Sequence, residues 1–382
     1  MRVLICLLFL CLLYLFTNHT AHAVYDPLTV PNNKFGMHIL FQSEIHDAAP
    51  FINSNGGEWG YVTIPIQALD KDLEKWQLFM DEARTRKVIP ILRIATENFY
   101  FDTKVWKKPR SEDVIDFANF LNALDWPVKN RYVVIFNEVN RGDEWGGEVN
   151  PKEYAELLSF AVSVFKSVNQ DFYIISAGLD NAAPNQPAKY MDQFTYMQQM
   201  NEAVPGIFNQ VDAVSSHAYP NPGFLEPPTS VTQKSISSFT YEREFLKSIS
   251  QKKLPIFITE TGWDAEKLGH EKTGEYYKQA FESVWSDPDI VAITPFIYKA
   301  GDGPFKKFSF LNPDGSKTKQ YEIIGNMTKV KGQPPISLTV LGTTNKSSTI
   351  PRVKRFQVKK DDSAFSVSQI FQSTFAWIMK LD

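Results

Sequence analysis

The sequence predicts an α/β protein whose main body is a (β/α)8 barrel, on three observations. Eight short β-branched or apolar runs follow one another along the 382-residue chain. Amphipathic stretches of helical spacing lie between them. The runs are nearly continuous in apolar residues, as suits parallel strands covered on both faces. Strand–helix alternation repeated in this way is the pattern of the barrel. An open doubly wound sheet is the alternative. It calls for a Gly-rich first turn, and Gly56-Gly57 does not supply G-x-G-x-x-G.

The runs, in order, are 35–41 (FGMHILF), 60–66 (GYVTIPI), 88–94 (VIPILRI), 131–136 (RYVVIF), 172–176 (FYIIS), 211–215 (VDAVS), 255–259 (PIFIT) and 291–297 (VAITPFI). Between the second and third, Leu73, Trp76, Met80 and Ala83 form a helical stripe. Val114, Phe117, Ala118 and Leu121 form the next. The clearest is Tyr154, Leu157, Leu158, Ala161, Val162 and Phe165, with Asn150 and Pro151 placed as N-cap and first helical residue. Tyr241, Phe245 and Leu246 repeat the pattern. The barrel is expected to end near Met327, after a helix-like stretch at 319–327.

Both ends of the chain read differently. Met1-Arg2, an apolar run at 3–16 and the triplet Ala21-His22-Ala23 match the parts of a secretory signal peptide. The run is shorter than the ~20 residues a spanning helix needs. Residues 1–23 are therefore expected to be cleaved after Ala23, with an uncleaved N-terminal anchor as the alternative. The expected location is secreted or extracytoplasmic, with no membrane contact unless the signal is retained. Cleavage removes Cys6 and Cys11, so neither a disulfide nor a thiol nucleophile is expected. The barrel then occupies 24–330. Gly332-Gln333-Pro334-Pro335 reads as a linker. It opens a C-terminal extension, 331–382, expected to be small and β-rich, either an appendage or extra strands packed on the barrel.

Composition narrows the function. Lys and Arg total 40 against 43 Asp and Glu, a formal charge of −3, which argues against a nucleic-acid partner. The hydrophobic and charged fractions, 43% and 22%, are those of an ordinary folded protein. His38, His46, His217 and His270 show no HExxH or HxH spacing, so no metal is expected. A metal-dependent barrel hydrolase is accordingly disfavoured. No organic cofactor is expected either, and the chain is expected to act as a monomer.

In a (β/α)8 barrel the chemistry sits where strands end. The fourth run ends in Asn137-Glu138, and the seventh is followed by Glu260-Thr261-Gly262-Trp263. His217-Ala218-Tyr219 follows the sixth, and Arg93 lies near the end of the third. Two carboxyls facing each other across one mouth suit glycoside hydrolysis: one protonates the leaving oxygen while the other attacks the anomeric centre. Asn137 can hydrogen-bond a sugar 2-hydroxyl. Trp145, Trp263, Trp59 and Tyr298 are candidate stacking platforms for apolar sugar faces.

Asn137-Glu138 on the fourth strand, His217-x-Tyr219 on the sixth and Glu260-Thr-Gly-Trp on the seventh resemble clan A of the glycoside hydrolases, its cellulase-like and β-xylosidase-like families. The resemblance spans residues 33–327, including the loop and helix at 144–155 and the segment 310–316. It implies that Glu138 is the acid/base, that Glu260 is the nucleophile oriented by Tyr219, and that His217 sits by the cleft. The reaction implied is double displacement with retention, on β-linked oligo- or polysaccharides. Val139 follows Glu138 where the clan often has Pro or Gly, and Phe296 and Tyr298 stand where its eighth strand often has Trp. A non-catalytic carbohydrate-binding barrel and a transglycosylase using the same glutamates are the alternatives.

Overall fold

The computed structural model describes residues 24–96 and 103–337. The expected signal peptide, with both cysteines, and residues 338–382 of the expected extension lie outside the described residues.

Eight parallel strands form one sheet in sequence order: β1 (Gly36–His38), β2 (Gly60–Gln67), β3 (Val88–Ala95), β4 (Arg131–Ile135), β5 (Phe172–Ser176), β6 (Ala213–His217), β7 (Ile256–Glu260) and β8 (Ile290–Ile293). The sheet closes where Phe35 bridges Ile293 in parallel and the His38 N–H donates to the Pro295 carbonyl at 3.0 Å. Each strand is followed by a helix: α1 (Ile45–Ile52), α2 (Leu73–Thr85), α3 (Ser111–Asn122), α4 (Pro151–Val168), α5 (Gln193–Ala203), α6 (Ser238–Ile249), α7 (His270–Glu282) and α8 (Lys319–Gly325). The fold is the (β/α)8 barrel that the strand–helix rhythm predicts. No helix among the described residues is long and apolar enough to cross a membrane.

Local sequence explains most elements. On α4, Asn150 caps the helix by accepting the Glu153 N–H at 3.1 Å, and Pro151 takes the first position, where no N–H is needed. Its stripe from Tyr154 to Phe165 is buried apart from Val162, which is half-buried. On α2, Trp76, Met80 and Ala83 are buried, but Leu73 is 49% exposed because the first turn precedes the contact with the barrel. On α6 the buried residues are Ser238, Phe239, Glu242 and Leu246; Tyr241 and Phe245 are half-buried. A carboxyl therefore sits in the buried stripe.

Alternation along the strands builds the interior. Ile89 and Ile91 on β3, Tyr132 and Val134 on β4 and Phe257 on β7 fill the lower barrel. A polar layer lies above them: Thr63 pairs with Thr294 at 2.8 Å and Ser215 with Thr259 at 2.5 Å. The next inward positions, Arg93 after Ile91 and His217 after Ser215, reach the mouth.

The run 332–335 is not a free linker, which corrects the sequence expectation. Gly332 N–H donates to Glu58 O at 2.9 Å, Gln333 N–H to Pro31 O at 2.8 Å, and Pro335 O accepts the Lys129 N–H at 2.8 Å. Ile336 then bridges Val128 in an antiparallel sense. Gly and Pro here mark an extended strap across the barrel's N-terminal end. Proline lacks an N–H, but its carbonyl still accepts.

Candidate active site

The two glutamates reach the mouth by different backbone devices. On β4, simple alternation would carry Phe136 inward. Its φ of +70° breaks the alternation, and the ring packs against Trp145, 6.1 Å between centroids. Glu138, at φ +31°, then turns into the barrel mouth, its N–H held by Gly178 O at 3.0 Å. On β7, Ile258 pairs with Ser216 but Glu260 pairs with His217, so Thr259 is an extra residue. That bulge re-aims Glu260 from the helix side to the interior.

His217 lies between the two. Its Nδ1 is 2.9 Å from Glu138 Oε1 and 3.8 Å from Glu260 Oε2. An oxygen of Glu138, one of Glu260 and a His217 ring nitrogen all lie within 4.8 Å of one another. Tyr219 Oη donates to Glu260 Oε2 at 3.0 Å. Arg93 Nη1 donates both to Glu260 Oε1 and to Asn137 Oδ1, the latter at 2.5 Å. Asn137 Nδ2 donates to Glu144 Oε2 at 2.7 Å. Arg141 approaches Glu138 Oε2 to 3.7 Å and is itself hydrogen-bonded by Asp143 and Asp180.

The surrounding charges hold Glu260 ionised. Burial favours the neutral form of Glu260, but the charges of His217 and Arg93 and the Tyr219 hydrogen bond outweigh it and draw its pKa down to about 2. Burial also opposes a charged His217, yet Glu260 and Glu138 together raise its pKa. Burial keeps Tyr219 protonated and so a donor. His38, at the end of β1, is fully buried, with Nε2 3.6 Å from Glu260 Oε1. Burial, opposed by Glu260, leaves it neutral, with a pKa near 3. Neither of its ring nitrogens has a hydrogen-bond partner among the described residues. The trio of Glu138, His217 and Glu260 has the donor atoms to hold a cation. The Arg93 guanidinium on Glu260 and the raised pKa of His217 both oppose a second positive charge there.

Glu138, Glu260, Asn137, His217, Tyr219 and Arg93 therefore come together in one cluster. The expected aromatic platforms do not, and that expectation is corrected. Trp145 is 1% exposed and packs edge-on against Phe136 and Tyr154. Trp263 is fully buried, edge-on to Tyr277 at 4.8 Å, with Nε1 donating to Glu226 O. Tyr298 is buried in the layer between barrel and helices. Trp59 precedes β2, at the opposite end of the barrel. Tyr154 of α4 packs on Trp145, and Tyr276 and Tyr277 of α7 pack on Trp263. Other aromatic rings lie near Glu260: Phe296 is 5.0 Å from the His38 ring and 5.1 Å from Phe305, and Phe308 is 5.9 Å from Tyr219; Phe296 and Phe308 are buried, and Phe305 is exposed. His38 and Glu144 are the site residues that sequence reasoning missed. His38 closes the first strand, where the strand-end rule finds it; Glu144 carries no signal of its own.

No protein-family model matches this sequence, and no curated protein matches it. Solved structures do match in fold. A family 39 glycoside hydrolase from the gut symbiont Bacteroides cellulosilyticus WH2 aligns at 15% identity with a TM-score of 0.57, over 79% of this chain and 64% of that one. A GH39 β-xylosidase from Caulobacter crescentus aligns at 14% identity and 0.54, over 80% and 72%. A GH5_18 protein from Bifidobacterium longum subsp. infantis aligns at 10% identity and 0.54, over 78% and 79%. The chain thus spans just under two thirds of the first of these proteins. What the chain shares with these glycoside hydrolases, at 10–15% identity, is the (β/α)8 barrel.

Proposed function

We propose that this protein is a retaining O-glycoside hydrolase in which Glu260 is the nucleophile and Glu138 the acid/base. The observation that carries the reading is the carboxylate pair: their oxygens approach within 4.8 Å across the mouth. Retaining enzymes hold the pair about 5–5.5 Å apart, and inverting ones roughly 6.5–9.5 Å, to admit a water between them. Glu260, ionised and oriented by Arg93 and Tyr219, attacks the anomeric carbon while Glu138 protonates the leaving oxygen. Glu138 then takes a proton from water, which releases the sugar with retained configuration. The chemistry needs no metal or organic cofactor. Phe305, 36% exposed and 5.1 Å from Phe296, supplies an apolar face for the sugar on the Glu260 side. β-Linked oligo- or polysaccharides are the proposed substrates.

Hydrolysis of a panel of aryl β-glycosides and β-glucans tests this. Glu260→Gln is expected to lose on the order of 10³-fold or more in kcat. Proton NMR of the first-formed product should show the β-anomer. Unchanged turnover in Glu260→Gln would sink the catalytic reading and leave a carbohydrate-binding barrel. Products formed at high acceptor concentration separate hydrolysis from transglycosylation. We also infer export as a monomer: the secreted chain should begin at Val24.

A further inference from the structure

One carboxyl beside the pair has no part in double displacement. Glu144 ends a single turn, Gly142–Glu144, that the fold holds firmly. Gly142 N–H donates to Lys189 O at 2.7 Å, and a Cβ on Gly142 would lie 2.5 Å from Ala188 O. The adjoining Trp145 is the buried anchor of the turn, edge-on to Phe136 and Tyr154. This anchoring turns Glu144 toward the site, where Oε2 accepts the Asn137 amide N–H. The same amide's oxygen accepts from Arg93 Nη1, and that nitrogen also donates to Glu260. An unbroken chain, Glu144–Asn137–Arg93–Glu260, therefore ties the extra carboxyl to the proposed nucleophile.

We propose that Glu144 is a positioning residue of this site: it fixes the Asn137 amide, and through it the Arg93–Glu260 pair. The proposal rests on the two-glutamate reading. The charged groups around Glu144 are Glu138 and Arg141 from β4 and its loop and Arg93 from β3, with Asp143 and Asp180 bound to Arg141. Burial first, then the charge of Glu138, raise Glu144 to about 8, against Arg141, the Asn137 N–H and Arg93. Below that pH it is a neutral acid that can hold Asn137 without adding charge.

The test compares kcat and KM of wild type, Glu144→Gln and Glu144→Ala on an aryl β-glycoside. Glu144→Ala should lose on the order of 10-fold in kcat with a smaller change in KM, because Asn137 is released. Glu144→Gln, whose amide oxygen still accepts from Asn137, should recover most of that loss. An unchanged kcat in Glu144→Ala, or a Gln variant as poor as the Ala variant, overturns the proposal. If wild type cleaves no glycoside, the two-glutamate reading fails by itself. Nitrogen NMR of the full chain labelled at asparagine side-chain amides then decides for Glu144. Support is an amide resonance, lost in Asn137→Ala, that shifts in Glu144→Ala and returns in Glu144→Gln; a resonance unmoved by Glu144→Ala overturns it.

Discussion

Gly178 shows how a single residue can hold the site. A Cβ there would run into the imidazole of His217 and come within 2.7 Å of Ser215 Oγ. His217 can lie flat against the β5 loop, with Nδ1 directed at Glu138, only because that position has no side chain. Gly178→Ala is expected to push the ring away, cost about 1–3 kcal/mol in stability as overpacking does, and lower kcat further than the stability loss accounts for. Denaturant titration read beside kinetics checks both. Tyr219 is the milder case. Its hydroxyl is one of the groups that lower the Glu260 pKa. Tyr219→Phe should therefore raise that pKa and move the acid limb of kcat/KM to higher pH. A pH–rate profile with an unmoved acid limb would contradict the role given to the hydroxyl.

Among the elements, α6 and the strand it covers carry a pH-dependent weakness. Glu242 is 5% exposed in the apolar layer, with Ser216 Oγ donating to it at 2.9 Å. Burial, opposed by that hydrogen bond, raises it to about 7. A carboxyl with a raised folded pKa binds more protons folded than unfolded, so stability is full at acid pH and falls as pH rises from the unfolded value toward 7. The loss is of order 2–3 kcal/mol over that window. Glu242→Gln should flatten this slope in chemical denaturation measured from pH 4 to pH 8. The loop after β4 depends on packing instead. Trp145→Ala should cost about 3–5 kcal/mol, as large buried aromatics do, and should also lower kcat, because the turn that carries Glu144 loses its anchor.

For the whole molecule, closure brings the chemistry together. β1 and β8 meet through Phe35 and Ile293, and this sets His38 beside Glu260, residues more than two hundred positions apart in sequence. At the other end, the strap up to Ser337 ties the last described residues to Pro31, Glu58 and Lys129. A chain ended after Met327 is expected to melt at a lower temperature than one ended after Ser337, because those backbone bonds and the buried Lys329, held by Ser54 and two carbonyls, are lost. Calorimetry of the two chains checks this.

Local chemistry made much of this legible. The periodicity of the apolar runs, the cap at Asn150 and the glutamates after the fourth strand and at the end of the seventh are properties of short stretches, and short stretches of sequence determined them. That Arg93 and His217 face the same mouth follows from alternation once the strands are known. The rest was decided between residues far apart. The bulge at Thr259 and the positive φ at Phe136 redirect side chains that alternation alone would send elsewhere. Trp145 and Trp263 look like sugar platforms until neighbouring elements bury them, and Gly332–Pro335 looks like a linker until the barrel base offers it partners. His38 and Glu144 join the site only through closure and through an anchored turn. Sequence determined which elements form, because backbone propensity and apolar spacing act over a few residues. Tertiary structure decided which side chains meet, because burial and charge coupling depend on neighbours that only the closed barrel supplies.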